Sequence, residues 1–172
     1  MKIDKKNIEY IRKNETTLVK NFIVLPKKYD FNYLSDLLEE NHLPVSHKEV
    51  FPNINFLNIC QIINVHTVDN HFLILKDFLH KLFQYKESPK DSADLFFSVT
   101  TATGQPHLDV EDIFLIGLHG STIYRVYGDR DYTIEPGDFL FIPRDLKHRA
   151  IGLTPRVILS IGFFGDRNMG PK

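Results

Sequence analysis

The sequence predicts a mainly β fold, an antiparallel sandwich or barrel over the C-terminal part of the chain, supported by an N-terminal α/β segment. Glycine is the first observation behind this: all nine glycines lie at or beyond Gly104, and the first 103 residues hold none. Tight reversals often need φ > 0, which glycine adopts at least steric cost, so the hairpins belong to the C-terminal part. The second is texture. From Asp94 onward the chain breaks into short apolar or alternating runs, the pattern of strands with one or both faces buried. The third is the regular spacing of turn signals between those runs.

The runs are Leu95–Thr100, His107–Leu118, Thr122–Tyr127, Tyr132–Ile134, Phe139–Ile142, His148–Leu153 and Arg156–Phe164. They are separated by His119–Ser121, Gly128–Asp131, Glu135–Asp138, Pro143–Asp145 and Thr154–Pro155, all rich in turn-forming residues. Strands at this spacing suit a sandwich or barrel, with the jelly roll among the options. Before them, Phe22–Leu25 ahead of Pro26 reads as a short strand, and Asp30 as the N-cap of a helix to about Asn41 with Phe31, Leu34, Leu37 and Leu38 on one face. A second helix, Asn70 to Tyr85, puts Phe72, Leu75, Phe78, Leu79, Leu82 and Phe83 at helical spacing, a stripe that reads as core packing. The organisation expected is one domain: 1–93 as support, 94–165 as the β core, and 166–172 as a loose tail.

Composition narrows the function classes. A formal net charge of -1 and a pI near 6.7 give no basic footprint for a nucleic-acid backbone. No apolar run approaches the roughly 20 residues of a membrane span. Cys60 is alone, so no intrachain disulfide forms; among Ile59, Ile62 and Ile63 it reads as a small buried hydrophobe. The polar start Met1–Lys6 lacks an apolar leader, and a cytoplasmic location is expected.

Chemistry enters with His107-Leu108-Asp109. On a strand, residues i and i+2 share a face, so one imidazole and one carboxylate converge. His148 follows Asp109 by 39 positions at the start of another strand. Two His and one carboxylate leave positions open on a metal, the arrangement of non-haem Fe(II) oxygenases, whereas a closed structural zinc site typically draws on several Cys. His42, His47, His66, His71 and His80 do not fall in a metal-binding pattern with neighbouring His or carboxylates and read as structural or surface residues. His119 sits at a hairpin and is expected to be exposed. Asp112 reads either as an acceptor that orients a ligand or as a solvent-facing carboxylate.

Around these residues the sequence resembles the cupin-like, Jumonji-C-type 2-oxoglutarate-dependent oxygenases, particularly the bacterial ribosomal-protein hydroxylases. The segments that carry the resemblance are Gly104 to Leu115, Leu118-His119-Gly120, Pro136-Gly137-Asp138 through Pro143 and His148, and Ser160-Ile161-Gly162-Phe163. It implies a double-stranded β-helix of the cupin jelly-roll type with His107, Asp109 and His148 on Fe(II). It also implies hydroxylation of a C–H bond with 2-oxoglutarate and O2, releasing succinate and CO2.

One position departs from the pattern. Many relatives carry Lys or Arg on the strand after the His-x-Asp hairpin; here that position is Thr122, with Tyr124 sharing its parity. Arg125 has opposite parity. Arg156 follows His148 by eight residues and shares parity with Ser160, resembling the Arg-plus-hydroxyl anchor of other 2-oxoglutarate oxygenases. Arg156 reads equally as a solvated strand end. The rival reading is a cupin-like metal-binding module that senses a ligand without turnover. Expected partners are a protein or small-molecule substrate and, given the exposed edges of a roll, a second copy of the chain.

Overall fold

The computed structural model describes residues 1–26, 30, 32, 33, 36, 60–64, 70–98 and 104–167, with the side chains of 60–64, 70 and 71 excepted. Its elements are α1 (Lys5–Arg12), β1 (Thr17–Val19), β2 (Cys60–Asn64), α2 (Asn70–Phe83), β3 (Ser92–Ser98), β4 (Asp112–His119), β5 (Thr122–Val126), β6 (Asp131–Ile134), β7 (Phe139–Ile142), β8 (His148–Gly152) and β9 (Arg156–Phe163).

Both sheets are antiparallel. The larger has the order β1-β7-β4-β9-β3-β2 and the smaller β6-β5-β8. Residues 104–107 extend the smaller one: Gly104 N donates to Ala150 O at 2.8 Å, and His107 and His148 exchange backbone bonds of 2.9 and 3.0 Å. The chain alternates between sheets, from β3 to 104–107, back to β4, across to β5 and β6, and so on to β9. That winding is a double-stranded β-helix, the mainly β jelly roll expected from the sequence.

Side-chain alternation builds two apolar layers. On one face of the larger sheet Phe114, Ile116, Leu118, Phe139, Phe141, Val157, Leu159, Ile161 and Phe163 pack with Phe72, Leu75, Leu79 and Phe83 of α2, the helical stripe anticipated for core packing. On its other face Ile113, Leu115, Leu140, Ile142 and Ile158 meet Tyr124, Val126, Tyr132 and Ile134 of the smaller sheet. The space between the sheets is the cup.

Several expectations need correction. Phe22–Leu25 is not a strand. The edge strand is β1, five residues earlier, pairing Thr17–Val19 with Phe139–Phe141. Lys20 and Asn21 then carry the chain off the sheet, because Asn21 has φ 52 and both residues donate to the Asp138 carboxylate. Phe22 still enters the core, while Val24 is exposed.

His107–Leu118 is not one strand either. His107 pairs with His148 in the smaller sheet and Asp112 with Phe163 in the larger, so residues 108–111 must cross between sheets and cannot continue either ladder. The start of the expected loose tail is tethered. Lys86 N donates to Asp166 O at 2.9 Å, and the Arg167 side chain is 5% exposed.

Helix α1 is an addition to the expected elements: Asp4 accepts from Asn7 N at 2.7 Å, and Ile8 and Ile11 share one face. Of the helix expected from Asp30, residues 32, 33 and 36, all helical, fall within the described residues, and Tyr33 N donates to Asp30 Oδ1 at 2.9 Å. His42, His47, His66 and most of that helix lie outside them, as does the side chain of Cys60. Among the described residues no helix is long and apolar enough to cross a membrane.

Candidate metal centre

The roll brings His107, Asp109 and His148 together at one end of the cup, with one donor atom from each lying within 4.8 Å of the others. Different elements supply them. His148 opens β8, where its inward parity is shared with Ala150 and Gly152. His107 is the last residue paired beside β8, and Asp109 lies on the crossing segment. Strand alternation therefore does not explain why His107 and Asp109 converge; the turn into the crossing does.

The carboxylate stands between the two imidazoles. Asp109 Oδ1 is 3.6 Å from His107 Nε2, and Oδ2 is 3.3 Å from His148 Nε2. Two donors bound to one ion at about 2.1 Å each are separated by no more than roughly 4 Å, and each of these two Asp109–imidazole spacings falls within that limit.

The ring tautomers follow from the backbone. His107 Nδ1 lies 2.8 Å from Gln105 O, and His148 Nδ1 lies 2.9 Å from Leu146 O. A carbonyl can only accept, so both Nδ1 atoms carry a proton, which leaves Nε2 of each ring, the nitrogen beside Asp109, as the one positioned to ligate. Access is graded, since the His107 side chain is 50% exposed, Asp109 24% and His148 3%. Glu111, next along the crossing, is pushed above the usual carboxylate range by burial and then by the charge of Asp109.

At the opposite end, the floor of the cup, polar groups gather. Arg156, Ile158 and Ser160 alternate with the helix-facing Val157, Leu159 and Ile161, and so face the cup. Arg156 is 7% exposed, which removes the solvated-strand-end reading. It pairs in register with Ser98, itself buried. Thr122 and Tyr124 face inward from β5, and Thr122 Oγ1 is buried with no hydrogen-bond partner among the described residues.

Gly120 makes this proximity possible. It has φ +69, and a Cβ there would lie 2.0 Å from Pro155 O and 3.0 Å from Arg156 Cα, so the β4–β5 turn packs directly on the start of β9. Arg125 points outward, binding Asp131 through two bonds of 2.9 and 2.7 Å. His119 is half-buried, not exposed, and Asp112 is buried and bonded away from both imidazoles.

Fold and site together define a double-stranded β-helix with a candidate two-histidine, one-carboxylate centre at its mouth. No family model matches the sequence, and no curated protein is found similar to it. Solved structures of the same fold are found. The X-ray structure of Escherichia coli YcfD superposes with TM-score 0.63 at 20% identity, over 97% of this chain and 54% of that one. YcfD, described as a ribosomal oxygenase, in complex with cobalt and 2-oxoglutarate gives TM-score 0.62 at 22% identity, over 92% and 51%. The chain thus spans about half the length of YcfD. At these identities the likeness shows a shared fold.

Proposed function

We propose that the protein is an Fe(II)- and 2-oxoglutarate-dependent oxygenase that hydroxylates a C–H bond of a protein side chain or a small molecule, releasing succinate and CO2. The observation that carries this reading is the pairing of two features in one cup, a two-histidine, one-carboxylate cluster at the mouth and, at the floor, the buried Arg156 together with the buried Thr122 hydroxyl, which has no hydrogen-bond partner among the described residues. YcfD, of the same fold, has been solved with cobalt and 2-oxoglutarate, which supports the same pairing of ligands here.

The donor set fits Fe(II): two imidazole nitrogens and one carboxylate would hold the ion and leave its remaining positions facing the cup. Bound iron would supply the oxygen chemistry. The chain's own residues bind, orient and shield. His148 to Gly152 covers four residue steps of β8, about 13 Å at strand rise, which sets the mouth apart from the floor along this strand. Arg156 would meet the distal carboxylate through its planar fork, with Ser160, Thr122 and Tyr124 able to add hydrogen bonds. A dicarboxylate drawn out of water needs such a cation, because an unpaired buried charge is costly. Ile113, Leu115, Leu140, Ile142 and Ile158 line the cup with apolar surface that keeps water from the reacting centre.

Titrating 2-oxoglutarate into anaerobic, Fe(II)-loaded protein tests the reading. Wild type should bind, and Arg156→Ala should lose about 2–5 kcal/mol of that affinity while keeping its iron. Unchanged affinity in the variant would place the anchor elsewhere. A wild type that binds iron but no 2-oxoglutarate would favour a metal-bound, ligand-sensing module instead.

A further inference from the structure

Asp112 is the most heavily bonded carboxylate near the mouth, and it touches neither imidazole. It is 2% exposed. Its Oδ2 accepts from Tyr85 Oη at 2.7 Å and lies 3.3 Å from Arg167 Nε, while Oδ1 accepts from the backbone N of Arg144 at 2.9 Å and from Arg144 Nε at 3.4 Å. Arg144 reaches on to Gly165 O at 2.9 Å, and Arg167 Nη1 donates to Ile11 O. Tyr85, stacked on Phe163 at 4.5 Å, is pushed above its usual range by burial and then by the Asp112 charge, so its hydroxyl stays a donor.

The residues just after Arg144 are the ones that touch the candidate ligands. Asp145, held at φ 62, donates its N–H to Asp109 O at 2.8 Å. Leu146 O fixes the His148 ring through Nδ1 at 2.9 Å. The bond from Arg144 N to Asp112 therefore pins the start of a three-residue segment whose next two members set Asp109 and His148. Asp112 closes the circuit from the other side, three residues along the chain from Asp109.

We propose that Asp112 is a positioning residue for Asp109 and His148, holding the Arg144–Leu146 segment at the distance that brings both ligands onto one ion. This rests on the triad being a metal centre. A carboxylate serving only to neutralise Arg144 and Arg167 would affect folding stability and leave the centre of the folded protein unchanged. One that positions ligands alters the centre itself, and groups of that kind are typically worth 10–100-fold in metal affinity.

Co(II), added anaerobically to the full chain, separates the two through its dissociation constant and its visible absorption bands, which report ligand geometry. Asp112→Ala, which removes the acceptor for Arg144 N, should weaken Co(II) by about 10-fold, the lower end of the range for groups that act on ligands from outside, and shift or broaden the bands. Tyr85→Phe removes one donor to Oδ2 and leaves both bonds from Arg144, so it should lower the melting midpoint and keep the wild-type spectrum. Should Asp112→Ala fail to fold, Asp112→Glu carries the test, since it retains the charge but displaces the acceptor by one methylene; the same loss and spectral change are expected. Wild-type affinity and bands in the folded Asp112 variants would overturn the proposal. A wild type that binds no Co(II) at all would overturn the metal reading beneath it.

Discussion

The two sheets of the roll do different work. In the larger, β4, β7 and β9 are buried along nearly their whole lengths, one face against α2 and the other against the cup. In the smaller, β5 and β6 alternate buried with open positions, so one face meets solvent. His107 and His148 come from the smaller sheet and Asp109 from the crossing beside it. The larger sheet lends the cup its apolar lining, Arg156 at the floor and Ser160 further along the same strand. Chemistry at the mouth therefore rests on elements with a solvated side, while the doubly buried sheet supplies the rigid wall against which they are set.

That division can be broken most forcefully in the larger sheet. Phe114 is fully buried and meets the rings of Phe83, Tyr85, Phe139, Phe141 and Phe163 at centroid distances of 5.0 to 6.0 Å. Phe114→Ala should cost about 3–5 kcal/mol in denaturant unfolding. A loss under 1 kcal/mol would mean that this layer is not the stabilising one.

At the mouth the balance should invert. His107→Ala with Asp109→Ala should abolish stoichiometric Fe(II) binding, while circular dichroism and the melting midpoint stay near wild type, because both side chains are partly exposed and lie outside the apolar layers. A double variant that keeps one metal per chain would contradict the site.

The outer face of the smaller sheet should matter least. Arg125→Ala removes a solvent-exposed pair with Asp131 and should leave both the melting midpoint and 2-oxoglutarate affinity unchanged within error, in contrast to Arg156→Ala. A large effect on 2-oxoglutarate would reverse the assignment of inward and outward faces on β5.

Much of this was legible in the chain because apolar runs and turn glycines are local signals. The run Phe139–Ile142 coincides with β7, and β5, β6, β8 and β9 lie within a residue of the runs that predicted them. What escaped depends on partners far away in sequence. The end of β1 is set by Asp138, 117 residues from Asn21, and the burial of Asp112 by Tyr85, 27 residues before it, and Arg144, 32 after it. The grouping of His107 with Asp109 was anticipated from strand alternation, yet the alternation fails there: a chain passing from one sheet to the other cannot keep one parity. Arg156 and Ser160 reach the cup by the alternation that was read, because β9 is an unbroken strand.

The central claim, a metal held at the mouth and a diacid anchored at the floor acting together, is tested most directly by turnover that needs no knowledge of the substrate. Anaerobically purified, Fe(II)-loaded protein supplied with 2-oxoglutarate and then exposed to O2 should form succinate, and the His107→Ala, Asp109→Ala double variant should not. Iron and 2-oxoglutarate both bound by wild type with no succinate above that of the double variant would contradict the oxygenase account and leave a binding module in its place.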